Sequence, residues 1–355
     1  MNERESLLAN LRREQGGIIP GDIELTPPKL KEFVEDHPEV SLEEYFGFYH
    51  RNARIEQTPT YEGDGRQLFS HMSIPDRFDI DSYGIGMSYG SEAAFHMCHF
   101  HAPLEGIDTT EEDIRSYRLP IITAEEQKRI RDFAVTTKAT GFAAFGQLEQ
   151  TIWERSWLIR GMNDLMIDMS MGDEKANIIL DRITEHSCRS AALYAESGYD
   201  IIGIGDDIGM QHSTMMSVPM WEEWLKPRLT KVIKTIKDIN PDILVFYHSC
   251  GYVTPFIPGL IEAGIDILNP VQPECMDLFA IDEQFGERLS FWGGIGTQTT
   301  IPFGTPQDVI DRTKEIHEHF KDKGGMVICP THIVEPEVTW DNLNAYRDTI
   351  FELRG

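Results

Sequence analysis

The sequence His248-Ser249-Cys250-Gly251 places an imidazole and a thiol two residues apart, directly after the apolar run 243–247. Residues i and i+2 of a strand point to the same side, so both side chains can bind one metal ion. Zinc takes nitrogen and sulfur ligands, and three protein ligands with one open position are typical of a catalytic zinc site. The pair also has a purely structural interpretation, because buried cysteines behave as small apolar side chains.

A third donor has to come from elsewhere in the chain. The segment 328–333 contains Cys329 and His332 and follows another short apolar run that is typical of a strand. Either residue could complete a three-ligand site with His248 and Cys250. If all four bound the ion, the site would have no open position, which is typical of structural zinc.

The charge of the chain limits its partners. Its 355 residues include 59 acidic and 32 basic ones, a formal net charge of −27. Nucleic acids and anionic membranes require clustered Lys and Arg, so neither is expected as a partner. Residues 1–15 lack the apolar core of a signal peptide, and no stretch is long enough to span a bilayer. We therefore expect a cytoplasmic protein whose five widely spaced cysteines are reduced.

Short apolar runs alternate with longer helical patterns from about residue 135 onward, which is typical of βαβ units and a parallel sheet. Strands are predicted at 140–145, 200–204, 243–247, 265–268, 289–292 and 326–329. Helices are predicted at 151–169, 174–197, 219–237, 253–263, 306–320 and 340–353, where apolar residues recur at i, i+3 and i+4. This pattern predicts an α/β fold, a single (β/α)₈ TIM barrel.

The N-terminal part is less regular. Helices are predicted at 1–13, 28–35 and 42–49, and short strand-like pieces lie between residues 54 and 87. No internal repeat or Pro/Gly-rich linker marks a second domain. We therefore expect one domain over residues 1–355, with residues 1–100 forming extra helical elements, a cap and the region of the first strand.

Polar residues follow the predicted strands, where TIM barrels carry their chemistry. Asp206 and Asp207 follow one strand, and Asn269 and Gln272 follow another. We interpret Asp206 and Asp207 as catalytic candidates, each being a further metal ligand, a partner that orients a histidine, or a proton acceptor. A helix cap or a solvated turn is the structural alternative. Gln272 is predicted to hydrogen-bond the substrate, or else only the barrel rim.

A second group of metal-binding residue types occurs at His96, Cys98, His99 and His101. Strand alternation would direct Cys98 away from His99 and His101. No second metal site is therefore expected there.

Several motifs together resemble the uroporphyrinogen decarboxylase superfamily, and more closely its zinc- and cobalamin-dependent methyltransferase branch. The motifs are His248-Ser249-Cys250-Gly251, Gly264 to Gln272, Gly293-Gly294-Ile295-Gly296, and the His332 segment that runs to Asp341-Asn342-Leu343. Further segments occur in the expected order, namely 42–54, 103–104, and 206–209 followed by Pro219 and Trp221. The resemblance thus covers most of the chain.

The resemblance implies a (β/α)₈ barrel whose zinc is held by the His-x-Cys pair and a distant third ligand after the last strand. In the coenzyme M methyltransferases that ligand is a cysteine, at the position that His332 occupies relative to Asp341-Asn342-Leu343. Cys329 would preserve the sulfur ligand but lies three residues earlier. We favour His332 and keep Cys329 as the alternative.

This ligand choice affects the expected substrate. Replacing a thiolate by His332 removes a negative charge and strengthens the polarisation of a neutral oxygen by zinc. We therefore expect demethylation of a small methylated substrate, a methoxylated aromatic ether above all, with the methyl group passing to the cobalt of a corrinoid on a partner protein. A second copy of the chain is one option for the assembly.

Three alternatives stay open. The enzyme could instead transfer the methyl group from methyl-corrinoid to coenzyme M or a folate. It could be a decarboxylase like the founding enzyme of the superfamily, although the Met-Arg-Gln-Ala-Gly-Arg pattern that binds the carboxylates of that substrate is absent. It could also be a non-catalytic zinc- or corrinoid-binding module.

Overall fold

The computed structural model describes residues 1–15, 17–70, 72–89, 98–106 and 108–355. Seven strands form one parallel sheet in the order β1-β5-β6-β7-β8-β9-β10, and three form a separate antiparallel sheet in the order β2-β3-β4. The strands are β1 His50–Arg54, β2 Phe78–Ile80, β3 Gly86–Tyr89, β4 Cys98–His101, β5 Ala143–Glu149, β6 Ile201–Gly205, β7 Leu244–His248, β8 Ile267–Asn269, β9 Ser290–Ile295 and β10 Met326–Pro330.

Helices follow most of the parallel strands and cover the outside of the sheet, as right-handed crossovers require. They are α1 Glu3–Leu11, α2 Pro27–Asp36, α3 Leu42–Tyr45, α4 Glu111–Ser116, α5 Ala124–Ala139, α6 Trp153–Arg160, α7 Met162–Met171, α8 Glu174–Glu196, α9 Val218–Trp224, α10 Lys226–Ile239, α11 Ile257–Ala263, α12 Leu278–Phe285, α13 Thr300–Phe303, α14 Pro306–Phe320 and α15 Trp340–Arg354. Within the described ranges, no helix is both long and apolar enough to cross a membrane.

An extended N-terminal segment, residues 20–25, takes the eighth position of the barrel. It runs parallel to β10, with Ile328 N–H donating to Pro20 O at 3.0 Å. The Asp22 carboxylate of this segment faces side chains from two strands, β9 and β1. Its Oδ2 accepts from Trp292 Nε1 at 2.9 Å, and its Oδ1 lies 3.7 Å from His50 Nε2 on β1. The predicted α/β barrel with additional N-terminal helices is confirmed.

Aromatic side chains fill the barrel interior and form the floor below its carboxyl end. Phe145, Phe246 and Trp292 are buried and pack edge to face, with ring centroids 5.2 to 5.7 Å apart. Leu7 and Leu8 of α1 belong to the same cluster, so α1 closes the amino-terminal end of the barrel. The open end is therefore the carboxyl end, where β7 presents His248.

The predicted elements overlap the observed ones, but several boundaries were wrong. The helix predicted at 151–169 is interrupted at Gly161, whose φ of 91° ends α6. The helix predicted at 219–237 is interrupted at Leu225, because a new helix begins at Lys226 and Pro227, its second residue, cannot supply an N–H to the preceding turn. The helix predicted at 42–49 ends at Tyr45, ahead of Gly47 with a φ of 64°.

Strands β5 and β9 run four and three residues beyond their predicted ends, and helices α4, α5, α12 and α13 were not predicted.

Gly293 on β9 permits a close approach between two neighbouring connections of the barrel. A Cβ on Gly293 would lie 1.9 Å from Pro270 O, and its φ of +143° is unfavourable for other residues. This contact holds the loop after β8 against β9, next to Asn269. The loop geometry therefore depends on the absence of a side chain at this position.

We predict that Gly293→Ala lowers the free energy of unfolding by more than about 3 kcal/mol, because strain and a backbone clash add together. Gly63→Ala is the matched control, since Gly63 also has a positive φ of +60° but nothing lies within 4 Å of a Cβ there. The control should lose only about 1 to 2 kcal/mol. Urea unfolding of both variants checks the difference, and equal losses would contradict this role of Gly293.

Candidate metal centre

Asp207, His248 and Cys250 bring an oxygen, a nitrogen and a sulfur atom within 4.8 Å of one another. His248 Nε2 lies 3.5 Å from Cys250 Sγ and 3.6 Å from Asp207 Oδ1. Standard zinc bond lengths in a tetrahedron give edges of about 3.6 Å for nitrogen to sulfur and about 3.4 Å for nitrogen to oxygen. Both distances from His248 are therefore close to the edges of a tetrahedral zinc site, and the oxygen and sulfur atoms lie within 4.8 Å of each other. Among the described residues, no other group of three donors meets this criterion.

Neighbouring strands supply these three residues. His248 is the last residue of β7, and Asp207 follows β6, which pairs with β7 in parallel. The Asp207 carboxylate also accepts from the backbone N–H of Cys250 at 2.7 Å. Because adjacent parallel strands end about 4.8 Å apart, residues just beyond both ends can reach a common ion.

Glycines allow the loops after β6 and β7 to pack backbone against backbone. A Cβ on Gly209 would lie 2.6 Å from Cys250 O, and one on Gly251 would lie 2.7 Å from the Gly209 carbonyl carbon. Tyr252 N–H donates to Met210 O at 2.8 Å across the same contact. A side chain on either glycine would separate Asp207 from Cys250.

Charges around His248 favour a cation at this position. Burial lowers the pKa of His248, but the Cys250 thiolate, followed by the carboxylates of Asp207 and Glu149, raises it well above its usual value. Burial raises the pKa of Cys250, and His248 partly offsets this effect. The groups that raise the pKa of His248 would also favour a divalent cation at this point.

The structure does not bring Cys329 or His332 into this cluster. Cys329 is buried in the barrel interior on β10, and His332 is exposed in the turn after β10. Both line the same cavity as His248, but neither places a ligand atom within the 4.8 Å group. A third ligand from the last strand stays a prediction, whereas Asp207 is the donor that the structure places beside the pair.

Asp206 and Asp207 point in different directions although they are adjacent in sequence. Asp206 is buried, and its carboxylate accepts from the backbone N–H groups of Ile152 and Glu154 at 2.9 to 3.0 Å, at the start of α6. The structure thus gives Asp206 the geometry of the helix cap that the sequence left as an alternative. Burial raises the pKa of this carboxyl group.

Glu154 lies beside the cluster and was not identified from the sequence. Its Oε2 accepts from the backbone N–H of Asp207 at 3.1 Å. Burial, followed by the carboxylates of Asp207 and Asp206, raises the pKa of Glu154. Its position in the first turn of α6 carries no local motif, so only the barrel geometry reveals it.

The buried side chain of Gln272 forms a hydrogen bond within the barrel rim. Its Oε1 accepts from the backbone N–H of Gly251 at 3.3 Å, which supports the turn that carries Cys250. Asn269, at the end of β8, contacts the ring of His248 through its Oδ1. The prediction that Gln272 contacts substrate stays a prediction.

A cavity of about 620 Å³ opens at the carboxyl end of the barrel, above the aromatic floor. Its walls include His248, Asn269, Cys329 and His332, so the metal cluster borders it on one side. Its volume is in the range that binding sites for small organic molecules have.

His96 of the second histidine-rich segment lies outside the described residues. His101 is hydrogen-bonded to Ser88 Oγ at 2.9 Å on the neighbouring strand β3.

We predict that His248→Ala, Cys250→Ala and Asp207→Asn each strongly lower the affinity for zinc. Loss of a residue that only hydrogen-bonds a ligand costs roughly 10- to 100-fold in affinity, and loss of a ligand itself should cost more. Competition with a chromophoric chelator measures the affinity. Asp206→Asn is the matched control and should keep the affinity, because this carboxylate faces α6. If Asp207→Asn keeps the wild-type affinity while His332→Ala or Cys329→Ala loses it, Asp207 is not the third ligand.

Glu154 should make stability depend on pH. Its folded-state pKa lies above the unfolded value of roughly 4.3, so its contribution is fully present below that value and is lost as the pH rises through the folded-state pKa. In metal-free protein, Glu154→Gln should therefore reduce the fall in unfolding free energy between about pH 5 and pH 8, as measured by urea titrations. Glu283→Gln, an exposed site on α12, is the control. An unchanged slope for Glu154→Gln would contradict the expectation.

Comparison with known proteins places the chain in a family. The family described as uroporphyrinogen decarboxylase (URO-D) matches residues 155–353. The methylated-thiol–coenzyme M methyltransferase of Methanosarcina mazei is 25% identical over 157 residues, which are 44% of this chain and 40% of that protein. The match thus spans less than half the length of this curated relative.

A solved structure described as a methyltransferase from Methanosarcina mazei covers 100% of both chains with a TM-score of 0.71 and 17% identity. At this identity the likeness concerns the fold alone. The superfamily resemblance that the motifs predict is confirmed by the family match, which covers more than half of the sequence. The chain belongs to the uroporphyrinogen decarboxylase family.

Proposed function

We propose that this protein is a zinc-dependent methyltransferase that moves a methyl group between a small methylated substrate and the cobalt of a corrinoid on a partner protein. The preferred donor is a methoxylated aromatic ether. The observation that carries the proposal is the cluster of Asp207, His248 and Cys250, whose ligand atoms lie within 4.8 Å of one another and which borders the barrel cavity through His248. The methyltransferase name of the curated Methanosarcina relative supports the reaction class.

The donor set fits catalytic zinc. Three protein ligands leave one position for a substrate atom, and a bound zinc would act there as a Lewis acid on the ether oxygen. The thiolate of Cys250 and the carboxylate of Asp207 would together balance the charge of the ion. A single thiolate, with imidazole and carboxylate as the other ligands, favours an oxygen over a sulfur atom in the open position.

The residues of the cavity suit a neutral aromatic ring. Phe145, Phe246 and Trp292 provide an apolar floor that excludes water below the metal cluster. With the reacting bond held in this cavity, the corrinoid has to approach from the open carboxyl end of the barrel. Orientation of the ring and exclusion of water are the contributions that these side chains make.

The charge of the cavity disfavours anionic reactants. Asp22, Glu24, Glu43 and Glu149 line it, and Arg54 is the one Lys or Arg among its described lining residues. The Arg54 guanidinium is already engaged, since it donates to Gln147 Oε1 at 2.6 Å and lies 3.3 Å and 3.5 Å from the two nearest glutamates. A substrate with several carboxylates would meet repulsion here, which argues against decarboxylation of a porphyrinogen.

The alternative is methyl transfer from methyl-corrinoid to coenzyme M, which the name of the curated relative favours. Coenzyme M is a thiol that carries a sulfonate, so it would bring a negative charge into the same acidic cavity. We therefore rank this direction second. A folate acceptor is the remaining variant of that direction.

The decisive experiment incubates zinc-loaded protein with Co(I) cobalamin and separate methyl donors, namely methoxybenzenes, methanol, methylamines and methyl thiols. We expect conversion of the Co(I) spectrum to methyl-Co(III) with methoxybenzenes, and rate losses of at least about 100-fold in Cys250→Ala. A reverse arm supplies methylcobalamin with coenzyme M or, separately, with a folate. Activity confined to the reverse arm would favour the alternative, and inactivity in both arms would refute methyl transfer.

A further inference from the structure

We propose that Asn269 is a positioning residue that fixes the imidazole of His248 in the tautomer with its hydrogen on Nδ1. The lone pair of Nε2 then faces Asp207 and Cys250. This inference rests on the proposed function, because it explains how the strand-end histidine becomes a metal ligand.

The hydrogen bonds of Asn269 determine which way its amide points. Its Nδ2 donates to the backbone carbonyl of Trp292 at 2.7 Å, a group that can only accept. The Oδ1 atom must therefore be the one that contacts His248 Nδ1. Because an amide oxygen only accepts, Nδ1 has to carry the hydrogen.

The backbone of Asn269 is fixed from several sides. It pairs with His248 in the register of β7 and β8, and its carbonyl accepts from Ser249 N–H at 3.0 Å. The following Pro270 packs against Gly293, where there is no room for a side chain. Buried Val271 has a φ of +48°, which is unfavourable for a β-branched residue and persists only where the surroundings impose it.

An amide suits this position better than a carboxylate. An aspartate could also accept from Nδ1, but its second oxygen would face the Trp292 carbonyl without a hydrogen between them. It would add another negative charge to a cluster that already contains Asp207 and Cys250. Asn269 thus orients the ring without changing the charge that balances the ion.

Asn269→Leu removes the contact at nearly constant volume. We expect the affinity for zinc, measured by chelator competition, to fall by roughly 10- to 100-fold. Asn342→Leu is the matched control, since Asn342 is also buried and its amide donates to the carbonyls of Ile301 and Gly304, which are not part of the cluster. It should lose stability but keep its zinc affinity.

Asn269→Asp tests the acceptor separately and also serves if the leucine variant does not fold. It keeps an acceptor for Nδ1–H, so it should retain more zinc affinity than Asn269→Leu. If Asn269→Asp keeps no more zinc affinity than Asn269→Leu, or binds zinc as weakly as His248→Ala, the acceptor atom does not determine the affinity and the proposal fails.

The tautomer is read by NMR in two forms of the protein. In the Co(II)-substituted protein, Nδ1–H of His248 should give a paramagnetically shifted signal in H₂O that is absent in D₂O, and this signal should broaden or vanish in Asn269→Leu. In metal-free protein at a pH where His248 is neutral, ¹⁵N shifts should show Nδ1 protonated in the wild type and a tautomer mixture in Asn269→Leu. Unchanged signals in the variant would overturn the assignment.

The metal-free measurement separates this inference from the proposed function. If wild-type protein binds no zinc or transfers no methyl group, the proposed function fails while the tautomer result still decides the role of Asn269. If zinc binds and methyl transfer proceeds equally in wild type and Asn269→Leu, the proposed function stands and the role of Asn269 is refuted.

Discussion

The candidate site depends on the close approach of the loops after β6 and β7. Gly209 and Gly251 touch backbone to backbone, and this contact places the Asp207 carboxylate against the turn that carries Cys250. The same oxygen accepts from Cys250 N–H and lies 3.6 Å from His248 Nε2. One carboxylate therefore both orders the turn and faces the imidazole, so the ligand geometry is already set in the metal-free chain.

Electrostatics adds a second reason for a cation at this position. The cluster combines anionic groups with an imidazole at the edge of a cavity that carries more acidic than basic side chains. The thiol of Cys250 and the nearby carboxylates raise the pKa of His248, so these groups favour positive charge at this point. A metal ion would supply that charge at a fixed position, with the imidazole nitrogen as one of its ligands.

The sequence predicted the barrel and the proximity of His248 to Cys250 because both follow from local patterns. Alternating elements indicate a parallel sheet, and two residues only two positions apart stay close together although β7 ends at His248 and Cys250 lies in the following turn. The partner donor depends on how strand ends are arranged around the barrel, and the sequence does not contain that distance. Asp207 was predicted at the correct rim, yet only the glycine contact shows that it meets Cys250.

The residues around the cluster were harder to predict for a related reason. Glu154 reaches the site from the first turn of α6, after a strand that is not adjacent to β7 in the sheet. The adjacent carboxylates of Asp206 and Asp207 cannot be told apart by composition. In the folded barrel, Asp206 caps α6 while Asp207 faces His248. The sequence alone does not show this difference, so both residues are candidates at that level.

The two cysteines near the cavity differ in the charges that surround them. Burial raises the pKa of Cys250, and Asp207 and Glu154 raise it further, but His248 opposes these shifts. Burial raises the pKa of Cys329 well above its usual value, and Asp22 shifts it further in the same direction. Since zinc binds the thiolate, ligation by Cys329 has to overcome both effects. The chain therefore favours sulfur ligation at Cys250 and an oxygen or nitrogen donor for the third ligand.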